Sequence, residues 1–418
     1  MRRRFTVIAL AGAVATMLLA LLVGLGATHI HSANAAGPGP TPTPTPFVCP
    51  GPWYTIASPN PGANVDELDA VAAVTPNDVW AVGLSQDIMY DEMSPLFEHW
   101  DGHAWSVASY AANGVSGSNF VGVTAISKHD VWAVGSNGGA AVTAHWDGAT
   151  WQLAFAPTPA DGNYASFKSV SATAADDVWA VGLYISGGFW HTLIEHWDGS
   201  AWSIVPSPNQ ENSGVLQGVV ALSPSDVWAV GYYQRDGVYE KYTLVEHWDG
   251  SAWSIVPSPN RGQYQDNVLT GVAAVSAQDI WAVGYVTDAQ TSLTEHWDGS
   301  AWSEVAAPPP AADGYGTTLL AVAVAPDRTV WAVGGQTIRW DGSSWTSIPA
   351  PVAAMSDSGV LNGVVALSPS NVWAVGSTGA STAGTQRSLT MQYRPPDHGT
   401  GMGNGTQCPH SNLGSTQP

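Results

Sequence analysis

One five-residue word governs this chain. VWAVG, or a close variant, recurs with its tryptophan at 80, 132, 179, 228, 281, 331 and 373. The steps between copies are 52, 47, 49, 53, 50 and 42 residues. A unit that short cannot bury its own apolar face, so it must stack on its neighbours, and fixed periods of this kind mark repeat architectures.

Each unit reads as four strands. In the fourth unit they are Leu216–Leu222, Val227–Tyr233, Thr243–Trp248 and Trp253–Pro259. The turn SPSD separates the first two, and Asp249-Gly250, a hairpin dipeptide, separates the last two. A period near 50 with four strands per unit is that of a β-propeller blade. Second tryptophans, in HWDG, fall at 100, 146, 197, 248, 297 and 340, with Tyr393 in the seventh place. Third tryptophans follow the DG at 105, 151, 202, 253, 302 and 345, and none follows Tyr393. The missing copy stands at the other end of the chain, where Trp53 in WYTIASPNP matches Trp202 in WSIVPSPNQ. The expected fold is all-β: a seven-bladed β-propeller with four antiparallel strands per blade, the N-terminal strand around Trp53 completing the last blade. Closure of that kind removes exposed sheet edges.

The ends of the chain read differently. Arg2–Arg4, the apolar run Val7–Ala27 and the Ala33-Asn34-Ala35 site form an export signal over residues 1–35. An uncleaved membrane anchor is the competing reading, because the run is long enough to span a bilayer. Both place the rest of the chain outside the cytoplasm, secreted or on the cell surface. Residues 36–48 are a stiff Pro/Thr-rich spacer, 49–396 the propeller, and 397–418 a flexible tail. Cys49 and Cys408 bracket the repeats. Closure would bring them together as a disulfide, suited to an exported protein; the alternative is two unrelated thiols.

The units DVWAVG…HWDGSAW resemble secreted bacterial propellers of the kelch and galactose-oxidase-central-domain type, and the repeats of seven-bladed bacterial propeller lectins. The resemblance covers about residues 52–394. It implies a propeller, with carbohydrate recognition as one expectation. The kelch double glycine is absent.

The octapeptide EHWDGSAW occurs three times, and its repeated polar residues invite a metal-site reading. His99, His145, His196, His247 and His296 share one position, with Arg339 and Gln392 in the last two units. Equivalent third-strand positions on adjacent blades should be on the order of 15 Å apart, too far for one ion. The histidines are therefore read as structural, hydrogen-bonded between blades. The aspartates of DVW, at 78, 130, 177, 226 and 279, give way to Thr329 and Asn371, which suits turn bonding better than calcium. No metal and no cofactor is expected.

Charge narrows the partners. Twelve Lys+Arg stand against 33 Asp+Glu, a formal charge of −21, which disfavours nucleic acid. Function is expected on the face formed by second-to-third-strand loops and inter-blade connections, which vary while the other turns stay constant. Candidate ligand-binding residues cluster there: Tyr184, Trp190 and His191 in the third unit, Tyr233, Arg235, Asp236 and Tyr239 in the fourth, and Tyr264 in the connection after it. Aromatic faces beside amides and charges suit carbohydrate or peptide. The competing reading makes them ordinary cross-strand pairs and padding.

Three functional classes remain. The leading one is an extracellular, monomeric, non-catalytic binding module for carbohydrate or a cell-surface protein, touching membrane only if the N-terminal segment is retained. The second is a glycan-acting enzyme using carboxylates such as Asp91, Glu92 and Glu211, although no catalytic motif appears and the repeats themselves, from Trp53 to Tyr393, have no cysteine for copper-radical chemistry. The third is a purely structural surface protein.

Overall fold

The computed structural model describes residues 52–395 apart from 63, 88–91, 116, 211–212, 263, 288–290, 310–317, 349, 351–358 and 381–384. Cys49, Cys408, the export signal, the spacer and the tail lie outside the described residues. Among the described residues there are 29 β-strands, β1–β29 in chain order, and no helix that could cross a membrane.

The fourth repeat shows the unit. β15 (Ser213–Ser223), β16 (Asp226–Gln234), β17 (Lys241–Trp248) and β18 (Trp253–Ile255) pair antiparallel in that order. The fourth strand is shorter than the sequence suggests. It stops before Pro257 and Pro259, which have no N–H for a ladder. The third, fifth and sixth repeats form equivalent four-stranded sheets. The second gains a fifth strand, because β6 (Tyr110–Ala111) pairs in parallel with β10 (Trp151–Phe155) and covers its edge.

The first and last repeats share one eight-stranded sheet. β1 (Trp53–Ile56) pairs antiparallel with β29 (Thr385–Tyr393), Trp53 opposite Tyr393. β2 (Val65–Thr75) touches β29 through the single parallel pair Val65–Gln386. Elsewhere the sheets stay separate and meet through side chains.

Those side chains are the tryptophans. Trp80 packs 4.7 Å from Trp146 and 5.4 Å from Trp151, both in the next repeat. The same two contacts join Trp132 to Trp197 and Trp202, Trp179 to Trp248 and Trp253, Trp228 to Trp297 and Trp302, and Trp281 to Trp340 and Trp345. Trp331 meets Tyr393 and Trp53, and Trp373 meets Trp100 and Trp105. The order therefore runs from the last repeat back to the first. Each contact buries large rings at low entropy cost.

Every first strand carries a β-bulge at the same place. In β15 the register shifts between Leu216 and Gly218, leaving Gln217 outside the ladder. Here the carbonyl of Val215 presses on β16, and a Cβ on Gly231 would lie 1.9 Å from it. This close approach is why every VWAVG ends in glycine. The residue after the bulge is small for a second reason. A Cβ on Gly218 would meet Gly271 Cα at 3.1 Å, and one on Gly363 would meet Ala70 Cα at 3.0 Å, so neighbouring inner strands nearly touch.

The octapeptide now has a part-by-part account. Its histidine donates through Nε2 to the DVW aspartate of its own repeat: His99 to Asp78 at 2.8 Å, His247 to Asp226 at 2.9 Å. The ring also stacks on its own repeat's tryptophan, His145 lying 4.2 Å from Trp132. This corrects the expected bond between blades: the second and third strands are ladder neighbours, so the partner is next door. It also corrects the expected aspartate role, because the carboxylates accept from imidazole and, in three repeats, from the indole N–H of Trp179, Trp228 or Trp281. In the last repeat Gln392 donates to Asn371 at 2.7 Å, an uncharged copy of the pair. The aspartate of each WDG accepts two backbone N–H bonds, as Asp198 does from Ser200 and Ala201, and the glycine takes a positive φ, 90° at Gly199.

The glutamates Glu98, Glu195, Glu246 and Glu295 are wholly buried. Burial pushes each carboxyl up to about 8, toward its neutral form. Ser58 Oγ donates to Glu98 at 2.5 Å and Ser207 Oγ to Glu246 at 2.8 Å, each from the preceding repeat. The preceding repeat offers Glu195 only Ala156 at that place, and among the described residues neither of its oxygens has a protein partner. Ser258, the counterpart for Glu295, donates to Thr243 Oγ1 instead.

Candidate functional site

Two places combine exposure with chemistry: the loop side of the third to fifth repeats, and the axis.

On the loop side, β12 (Asp177–Ser186) and β13 (Phe189–Trp197) form a hairpin that turns at Gly187-Gly188, with φ of 61° and 87°. Only glycine takes both angles without strain. The turn presents Phe189, 47% exposed, and Trp190, 39% exposed. Below the tip, Tyr184 stands opposite His191 with the rings stacked 5.0 Å apart. Ser186 Oγ donates to Asp161 at 2.8 Å and ties the hairpin to the preceding connection. Burial, then the Asp161 charge, raises the Tyr184 phenol.

The fourth repeat builds a second cluster. Tyr233 and Tyr242 are cross-strand partners, rings 5.4 Å apart. The Arg235 guanidinium lies 4.4 Å from the Tyr242 ring centre, a cation–π distance, and donates to Tyr233 Oη at 3.3 Å. Tyr233 is only 5% exposed and belongs to the core between repeats, so its ring packs rather than facing solvent. The turn through Asp236 and Gly237 carries Tyr239, 91% exposed. Tyr264, in the next connection, is 74% exposed at a φ of 71°, unusual for a side chain of its size. Tyr184 with His191, and Tyr233 with Arg235, are thus each brought together within their own hairpin. Trp190, Tyr239 and Tyr264 project separately. Asp91 and Glu211, and the side chain of Glu92, lie outside the described residues.

The axis went unread in the sequence. The seven bulges free one residue from each first strand: Asp69, Val121, Lys168, Gln217, Thr270, Leu320 and Asn362. Together with the small residues that follow them they line one cavity of about 220 Å³. All seven are partly exposed, so solvent reaches it. Thr270 Oγ1 donates to Leu319 O at 2.8 Å, and Asn362 Nδ2 to Glu67 Oε1 at 3.0 Å and to Leu68 O at 3.1 Å. Among the described residues Asp69 Oδ2 is buried without a protein partner. Burial, then the Glu67 charge, pushes the Asp69 carboxyl up to about 8, against the pull of Lys168. Burial lowers Lys168 in turn. The available signal was a polar residue between an apolar residue and a small one in FKSV, LQGV and LNGV, at the one point where strand alternation breaks.

Among the described residues no group of three or more histidine, cysteine or carboxylate side chains could hold a metal ion.

Four-stranded antiparallel sheets, packed side by side with their first strands around an axis, define the β-propeller class. Solved structures that share the fold include two of YCF48. YCF48 bound to D1 peptide aligns with a TM-score of 0.51 at 17% identity, over 84% of this chain and 99% of that one. YCF48 from Cyanidioschyzon merolae aligns with 0.51 at 14%, over 82% and 98%. At these identities the likeness is one of fold. No protein-family model and no curated protein matches the sequence.

Proposed function

We propose that this protein is an exported, seven-bladed β-propeller that acts as a non-catalytic binding module, taking carbohydrate through the loop side of its third to fifth repeats. The observation that carries the reading is the β12–β13 tip. Twenty of the 21 tryptophans serve the repeat, and Trp190 alone stands outside it, on a diglycine turn, beside exposed Phe189. The exposed rings of Phe189, Trp190, Tyr239 and Tyr264 suit the apolar faces of a sugar, and Arg235 its hydroxyls. Seven copies of each strand, and the tryptophan contacts that lead from the last repeat to the first, support the blade count. The basic, apolar and small-residue order of the N-terminus supports export, and closure supports a Cys49–Cys408 bond.

The test is a glycan-array screen of residues 47–418 beside Trp190→Ala. Specific binding, lost in the variant, is the expected result. Binding retained by the variant would remove the site from this hairpin. No glycan binding at all would overturn the carbohydrate reading.

A further inference from the structure

We propose that the axial cavity is a second binding site, for a small zwitterion of the α-amino acid type, with the ligand ammonium on Asp69 and its carboxylate on Lys168. The site is separate from the Trp190 hairpin and does not depend on its role.

Size sets the class. About 220 Å³ is below the roughly 300–1,000 Å³ of drug-sized pockets, so the cavity suits a small solute. Charge then selects among small solutes. The chain has only three lysines, Lys128, Lys168 and Lys241, and one of them stands at the axis. Lys168 and Asp69 come from the third and first repeats, with Val121 of the second between them. Each feels the other's charge across the cavity, yet among the described residues no ion pair within 4.0 Å joins them. Among the described residues Asp69 Oδ2 has no protein partner.

Burial holds Asp69 toward its neutral form, and a cation at its carboxyl would draw it to the carboxylate. A simple cation would answer Asp69 and meet Lys168 as a like charge. A simple anion would answer Lys168 and leave Asp69 protonated without a counter-charge. A neutral sugar would leave Lys168 desolvated and Asp69 likewise protonated. A zwitterion answers both at once. Thr270 and Asn362 are committed to protein acceptors, which leaves the Gln217 amide as a further polar contact and Val121 and Leu320 as apolar walls.

Isothermal titration of residues 47–418 with L-alanine and L-leucine tests this. At least one should bind, and Asp69→Asn or Lys168→Met should each weaken it by tenfold or more, while Trp190→Ala leaves it unchanged. Because an axial variant can fail to fold, the ligand is also altered against the wild-type protein. L-alanine methyl ester lacks the carboxylate and N-acetyl-L-alanine the ammonium, and each should bind at least tenfold more weakly than the parent. No heat from either amino acid at 10 mM, binding that survives Asp69→Asn, or equal binding of either derivative would overturn the proposal.

Discussion

Trp53 and Tyr393, near opposite ends of the described chain, stand directly opposite each other across an antiparallel ladder, their rings 5.4 Å apart. The pairing is reinforced by the same bonds that hold a fourth strand elsewhere. Asn60 Oδ1 accepts from the Ser388 N–H at 2.9 Å, as Asn209 does from Thr192 and Asn260 from Thr243. The N-terminal segment is thus an ordinary fourth strand delivered from the wrong end of the chain.

Trp53→Ala should therefore cost about as much as emptying a core site, roughly 3–5 kcal/mol, because Trp53 is fully buried against Trp331 and Tyr393. Denaturant unfolding checks it. A loss below about 1 kcal/mol, the range of a surface change, would mean β1 is dispensable.

The buried glutamates predict stability that falls with rising pH. Their folded-state values, near 8, lie above the ordinary 4.5, so the folded protein keeps protons that the unfolded chain releases. Their contribution is whole below about pH 4.5 and is lost as pH rises through 8. Glu195→Gln keeps the shape and removes the ionisation. It should flatten the slope between pH 5 and 9, and stabilise the protein at pH 9 by on the order of 1–3 kcal/mol. An unchanged slope in thermal unfolding would contradict this.

Gly182→Ala should destabilise by about 1–3 kcal/mol or more, since the new methyl would sit 2.0 Å from Ser166 O. Gly379→Ala, whose nearest contact among the described residues would be Thr385 O at 3.6 Å, serves as the control and should be close to neutral. Equal effects in the two variants would refute the bulge account of the VWAVG glycine.

The His–Asp pair should behave as one unit. Asp226→Asn and His247→Gln should each cost about 1–3 kcal/mol, and the double variant, copying Asn371 and Gln392, less than the sum by about 0.5–1.5 kcal/mol. Strict additivity would show that the two residues act independently.

The tryptophans and the displaced strand were legible because each recurs, and repetition separates the packing residue from its neighbours. The histidines were legible as structural from the Arg339 and Gln392 replacements, but their partner was not, since residue type alone does not say which ladder neighbour accepts. Asp69 and Lys168 were hidden for the opposite reason. The axial residue differs in every repeat, and the bulge that aims it interrupts the alternation by which strand faces are read. Tyr233 looked like its exposed neighbours in sequence, yet it lies within the core between repeats.

The bulge also separates two jobs that a strand usually performs together. One residue per first strand takes no part in the ladder, so its side chain can be exchanged while every ladder hydrogen bond and tryptophan contact stays in place. Asp, Val, Lys, Gln, Thr, Leu and Asn already occupy those places side by side. The ring is in effect a seven-letter word written on a fixed frame, and each letter can be rewritten alone to ask what the centre of the molecule recognises.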